Sequence, residues 1–154
     1  MEDNKLSMLE MYNPMKGEYI LRWNTDQGIQ EKILDHKPDK SEIVSIVTAW
    51  FDERIDNEIE FGYSYDDIPV QLSKENEDNY FKSFVFAALS QLGGLNLIQY
   101  PVTWKLGTKD KPVIKEFNSF NEIMQFCIGA YMYKDECLRR GFITKNNIDW
   151  SVYD

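Results

Sequence analysis

The chain has 154 residues, with Lys+Arg 17 against Asp+Glu 26, a net charge of -9, one His and two Cys. The length fits one domain with short extensions, and 43% apolar with 14% aromatic residues suffices for a packed core. The acid excess argues against a chain that coats nucleic acid, which needs clustered Lys and Arg, and a single His removes any His-rich metal site.

Residues Met1 to Met15 read as an N-terminal arm, with a short helix possible over Lys5–Met11. Met1 to Ser7 is acidic and lacks an apolar core segment, so no signal peptide is expected. Tyr19, Leu21 and Trp23 alternate, as a strand does, and Asp26 to Gly28 is a turn into a second strand over Ile29–Leu34. His36 to Pro38 breaks that strand.

A helix follows, capped by Asp39 or Ser41, with Ile43, Ile46, Val47, Trp50, Phe51 and Ile55 on its core side. Ile59, Phe61 and Tyr63 then alternate as a strand, which would point Glu58 and Glu60 to solvent. A turn over Ser64–Asp67 leads to a returning strand with Ile68, Val70 and Leu72. Pro69 has no N–H, so this strand should lie at a sheet edge or carry a bulge.

Ser73 is a good N-cap for the next helix, with Glu75, Glu77 and Asp78 at its positive end. That helix should bury Tyr80 or Phe81, Phe84, Val85, Ala88 and Leu92, and Gly93-Gly94 should stop it. Val102–Leu106 and Val113–Phe117 form a hairpin around Gly107–Asp110. Asn118 or Ser119 caps a last long helix, which Gly141 should close. Thr144–Asp154 is a polar tail with three apolar points, Ile148, Trp150 and Val152.

The expected architecture is α+β: short antiparallel β-hairpins packed against about three α-helices in a single domain, residues 16–143. The arm 1–15 and the tail 144–154 flank it. The longest mostly apolar run, Phe84 to Leu89, is far too short to cross a bilayer.

Candidate chemistry is sparse. Cys127 and Cys137 fall ten residues apart on one helix, about 15 Å by its rise, too far for a disulfide. They read as buried reduced thiols; a reactive thiol would need Arg139 or Arg140 to depress its pKa. Asp66 and Asp67, with Asp56, Glu58 and Glu60, have the residue types of a divalent-cation site but no EF-hand spacing, so a polar turn is the simpler reading. Phosphate-loop, dinucleotide, nucleophile-elbow and Cys-x-x-Cys motifs are all missing. His36 sits in a turn with no candidate nucleophile beside it.

Charge is uneven. Asp52 to Asp78 holds ten acids and two bases, and Pro101 to Lys145 holds eight bases and five acids. This is either a solvated surface, complementarity between neighbouring copies, or an acidic stretch that mimics nucleic acid. Trp23, Trp50 and Trp104 fit core faces. Trp150 lies in the tail, where it is either an interface anchor or packs back on its own domain.

From Arg54 through Phe120 the order of features resembles a short domain of bacteriophage tail and tail-fibre-associated proteins. The residues that carry the resemblance are Arg54, Ile59, Phe61, Tyr65, Val70, Leu72, Ser73, Phe84, Ala87, Trp104 and Phe117. A Gly usual in the family's turn is replaced around Asp66-Asp67. The resemblance implies a virion protein with a structural role in the tail or its fibres, and no enzymatic activity. It carries over no functional residue.

The expected function is therefore a structural or adaptor component of a phage particle, made in the host cytoplasm and placed by docking on other virion proteins or copies of itself. Ile148, Trp150, Val152, Asp66 and Asp67 are the candidate interaction residues. No cofactor, metal, nucleic acid, membrane or small-molecule substrate is expected. The alternative is an acidic intracellular regulator or inhibitor that occupies a basic site on a host protein.

Overall fold

A computed structural model of the chain describes residues 6–154. The fold is α+β, with two sheets and three long helices among the described residues. The chain divides into two units, Met1–Asp52 with Ile143–Asp154, and Glu53–Phe142.

The first unit is built on an antiparallel sheet of order β1 (Leu9–Asn13), β2 (Glu18–Thr25), β3 (Gly28–Leu34). Leu21 and Trp23 of β2 are buried against Ile43, Val47 and Phe51 of helix α1 (Lys40–Phe61). The helix possible over Lys5–Met11 is instead strand from Leu9 onward, with Lys5 outside the described residues. The reason is the partner: Leu9 pairs with Leu21 and Met11 with Tyr19. Isolated short helices are marginal, so ladder pairing decides.

On the sheet's other face, Arg22 is only 9% exposed. Its guanidinium donates to Glu10 of β1 at 2.7 Å, to Glu31 of β3 at 3.2 Å and to the Ser7 carbonyl at 2.8 Å. One side chain thus ties the three strands across their outer face. Its partners hold the guanidinium pKa above its ordinary value, the Glu10 hydrogen bond first.

Asp39 caps α1, its carboxylate accepting the Glu42 N–H at 2.8 Å. The helix continues through Ile59 and Phe61, which were expected in a strand. Ile43, Val47, Phe51, Ile55 and Ile59 recur at intervals of four, so the helical stripe simply continues. Glu58 and Glu60 are therefore helical: Glu58 pairs with Arg140 at 2.5 Å and Glu60 accepts from Gln71 at 2.6 Å.

The second unit holds the sheet β4 (Tyr63–Tyr65), β5 (Ile68–Val70), β6 (Val102–Gly107), β7 (Pro112–Phe117) in that order. Strand β5 lies between β4 and β6 and pairs with β4 in unbroken register, so neither the edge position nor the bulge expected from Pro69 is found. Its pairing to β6 is the single parallel position Val70↔Gly107, so no ladder bond is asked of Pro69 on that side. Gly107 has φ 83°, and a Cβ there would come 2.3 Å from the Lys111 carbonyl, which fixes a glycine at this hairpin turn.

Helix α2 (Lys74–Leu92) starts at Ser73, whose side chain accepts the Asn76 N–H at 3.2 Å, and stops at Gly93. Helix α3 (Phe120–Asn146) starts at Ser119, whose hydroxyl accepts the Glu122 N–H at 3.3 Å. It does not close at Gly141 but runs on to Asn146. Phe126 of α3 stands at the centre of the aromatic core. Tyr80 (5.0 Å), Tyr65 (5.1 Å), Trp104 (5.2 Å) and Phe117 (5.5 Å) each meet it edge-on, a favourable geometry for ring quadrupoles.

Candidate docking surfaces

The tail residues do not reach away from the fold. After α3 the chain turns at Asp149, whose carboxylate accepts the Ser151 N–H, into a 3₁₀ helix, Trp150–Tyr153. Ile148, Trp150 and Tyr153 pack against the buried cluster of Leu21, Trp23, Ile43, Val47 and Phe51. The Tyr153 hydroxyl donates to the Arg22 carbonyl at 2.6 Å, and Lys40 holds the Trp150 carbonyl at 2.7 Å and the Asp154 carboxylate. Of the three apolar points, only Val152 is substantially exposed, at 40%. Trp150 packs back on its own unit.

Asp66 and Asp67 form the two-residue turn of the β4–β5 hairpin, with φ 48° and 61°. Positive φ at both central positions is the geometry of a type I′ turn, which Asp tolerates better than most residues. Asp66 also pairs with Lys115 at 2.9 Å. The two aspartates are thus placed by the turn. Among the described residues, no three His, Cys, Asp or Glu side chains converge as a metal site would require.

The acidic middle and the basic C-terminal part meet within one chain. In the first unit Lys145 pairs with Asp52. In the second, Arg140 pairs with Glu58, Lys115 with Asp66, and Lys134 with Glu77 at 2.7 Å. Four of the bases counted above are therefore engaged inside their own units. Exposed pairs of this kind each contribute at most about 1 kcal/mol, but together they set which faces remain charged.

Both thiols are disfavoured as thiolates. Burial pushes the Cys127 thiol up to about 11. Cys137 is 1% exposed, and burial raises its pKa although Arg140 lies 3.6 Å from its sulfur. His36 is held by Asp35 at 2.6 Å and Glu42 at 2.8 Å, which raises its pKa. It braces the start of α1.

What the sequence reading missed is on α2. Of the expected pair Tyr80 or Phe81 it is Tyr80 that packs into the core, but Val85 and Leu92 do not, and only Ala87 of this helix is fully buried. Phe81 is 67% exposed and Leu92 83%. Beside Phe81 a groove of about 280 Å³ opens between α2 and α3, lined by Leu72, Tyr80, Phe84, Cys127, Ala130 and Tyr131. Its rim carries Glu77, Asp78 and Lys134. A mostly apolar groove with a charged rim suits binding by shape and burial. The signal was available: from Asn79 to Trp104 the sequence holds one charged residue, Lys82.

Compared with family models, curated proteins and solved structures, the chain matches none of them.

Proposed function

We propose that this chain is a structural or adaptor component of a bacteriophage particle, associated with the tail or its fibres and held by protein–protein docking. The observation that carries this reading is where the resembling segment falls. The segment that resembles the phage tail domain, Arg54 through Phe120, lies inside the continuous unit Glu53–Phe142. Within that unit a hairpin, the Ser73-capped helix, the Trp104 strand and α3 follow one another, although Ile59 and Phe61, two of the residues that carry the resemblance, lie in α1 and not in a strand. Docking as the mode of action is supported by the exposed apolar residues of α2. The pairing of Glu58, Asp66 and Glu77 with bases of the same unit counts against the acidic stretch as a mimic.

The test is mass spectrometry of purified particles. The chain is expected at a fixed copy number that survives gradient purification. Its absence from particles, with free protein in the lysate, overturns the proposal.

A further inference from the structure

We propose that the outer face of α2 is the contact surface of a two-fold dimer of this chain, with the two α2 helices antiparallel. The inference is independent of the particle assignment, which particle composition tests separately.

A surface helix needs one apolar stripe for its own core. In α2 that stripe is Tyr80, Phe84 and Ala87, which pack into the second unit's core. Yet the helix is apolar on its other sides too. Phe81 is 67% exposed, Val85 36%, Phe86 53%, Leu89 48% and Leu92 83%. Leu95 and Leu97, just beyond the helix, are 52% and 49% exposed. With about 200 Å² for a whole aromatic side chain and less for Leu and Val, the helix alone presents on the order of 500 Å². Adding the two leucines brings the patch to on the order of 650 Å², beyond the usual upper end for a monomer.

A second copy fits this surface by area, symmetry and charge. Two such patches face to face remove on the order of 1,000–1,300 Å² from water, the range where specific interfaces begin. A two-fold contact uses the same patch on both copies, so one apolar face suffices to build it. The net charge of -9 opposes self-association in general, but between Asn79 and Trp104 the only charge is Lys82.

Charge also selects the direction. Glu75, Glu77 and Asp78 outnumber Lys74 at the start of α2, where Glu77 is paired with Lys134, while its end is uncharged. Parallel helices would bring two acidic ends together. Antiparallel helices separate them by nearly the helix length, about 28 Å for this span, several Debye lengths at physiological salt. The same arrangement lays the Leu92 end of one copy over the Phe81 groove of the other, whose 280 Å³ or so takes a leucine side chain.

The experiment is sedimentation equilibrium of the full chain over about 1–200 µM, the span in which interfaces of this size ordinarily associate. A reversible monomer–dimer equilibrium is expected. Leu89→Glu with Leu92→Glu, both at exposed positions, should weaken association at least about 100-fold while the far-ultraviolet circular dichroism stays unchanged. A wild-type chain that stays monomeric throughout, or a variant that dimerises as well as wild type, overturns the proposal. So does mass that keeps growing beyond two copies. Cysteine cross-linking reads the direction: Val85→Cys, on the Phe81–Leu92 stripe and near the two-fold axis, should form an intermolecular disulfide, and Leu92→Cys should not. The reverse pattern overturns the antiparallel arrangement.

Discussion

Gly141 lies directly against Ile55: a Cβ at Gly141 would stand 2.1 Å from Ile55 Cδ1 and 2.6 Å from Cγ1. The glycine belongs to the interior of α3, where glycine is otherwise unfavourable by about 1 kcal/mol relative to alanine. It is present because α1 and α3 approach closely at that point of the second unit.

The first prediction follows from that pair. Gly141→Ala gains helix propensity but overpacks the contact, for a net loss of about 1 kcal/mol. In an Ile55→Ala background the clash is gone, and the same substitution should stabilise by about 1 kcal/mol. Urea denaturation of the four-member cycle reads this reversal of sign. Additive effects would show that the two residues do not touch.

A second concerns the tail. Trp150→Ala should destabilise the first unit by about 2 kcal/mol, since a partly buried indole leaves the cluster around Trp23. Truncation after Asn147 should cost more, because it also removes Ile148 and the Tyr153 hydroxyl bond to Arg22. Tryptophan fluorescence during unfolding follows both. Unchanged melting after truncation would mean the tail does not pack here.

The hairpin turn gives a third. Asp67 sits at φ 61°, where a residue with a Cβ is disfavoured by about 1 kcal/mol or slightly more. Asp67→Gly should therefore raise stability by about 1 kcal/mol, measured by chemical denaturation. Asp66→Gly should gain less, because it also loses the pair with Lys115.

His36 provides a pH prediction. Its hydrogen bonds to Asp35 and Glu42 raise its pKa above 6.5 in the folded chain and lower that of Asp35. A raised folded pKa contributes stability that is fully present below pH 6.5 and fades as pH rises through the folded value. Nuclear magnetic resonance titration should place His36 above 6.5, and His36→Asn should remove this part of the pH dependence. A value at or below 6.5 would mean the two carboxylates do not hold the ring.

Much of the fold was legible because it is locally encoded. The Ser73 cap and the Gly93 stop bounded α2, and the alternation of Val102 to Leu106 marked β6. The departures arose where a distant partner decides. Leu9–Asn13 is a strand because β2 lies beside it. Ile59 alternates with Phe61 and Tyr63 as a strand residue would, but the core of the second unit takes it as the next step of the α1 stripe. Gly141 read as a stop because its contact, Ile55, is 86 residues away in sequence. The surface residues were least legible. Apolar spacing on α2 predicted burial, but spacing alone does not say whether the covering layer belongs to the same chain.

The division of the chain fixes an order in time. The unit Glu53–Phe142 is continuous, so all its residues have been synthesised once Phe142 is added. The first unit is discontinuous: its sheet precedes the inserted unit in the chain, but Ile148, Trp150 and Tyr153 follow it. During synthesis at about 5–20 residues per second, that sheet waits several seconds with part of its apolar face uncovered. The sheet of the first unit thus completes its core only after the whole inserted unit has been made, and the inserted unit is free to finish before it.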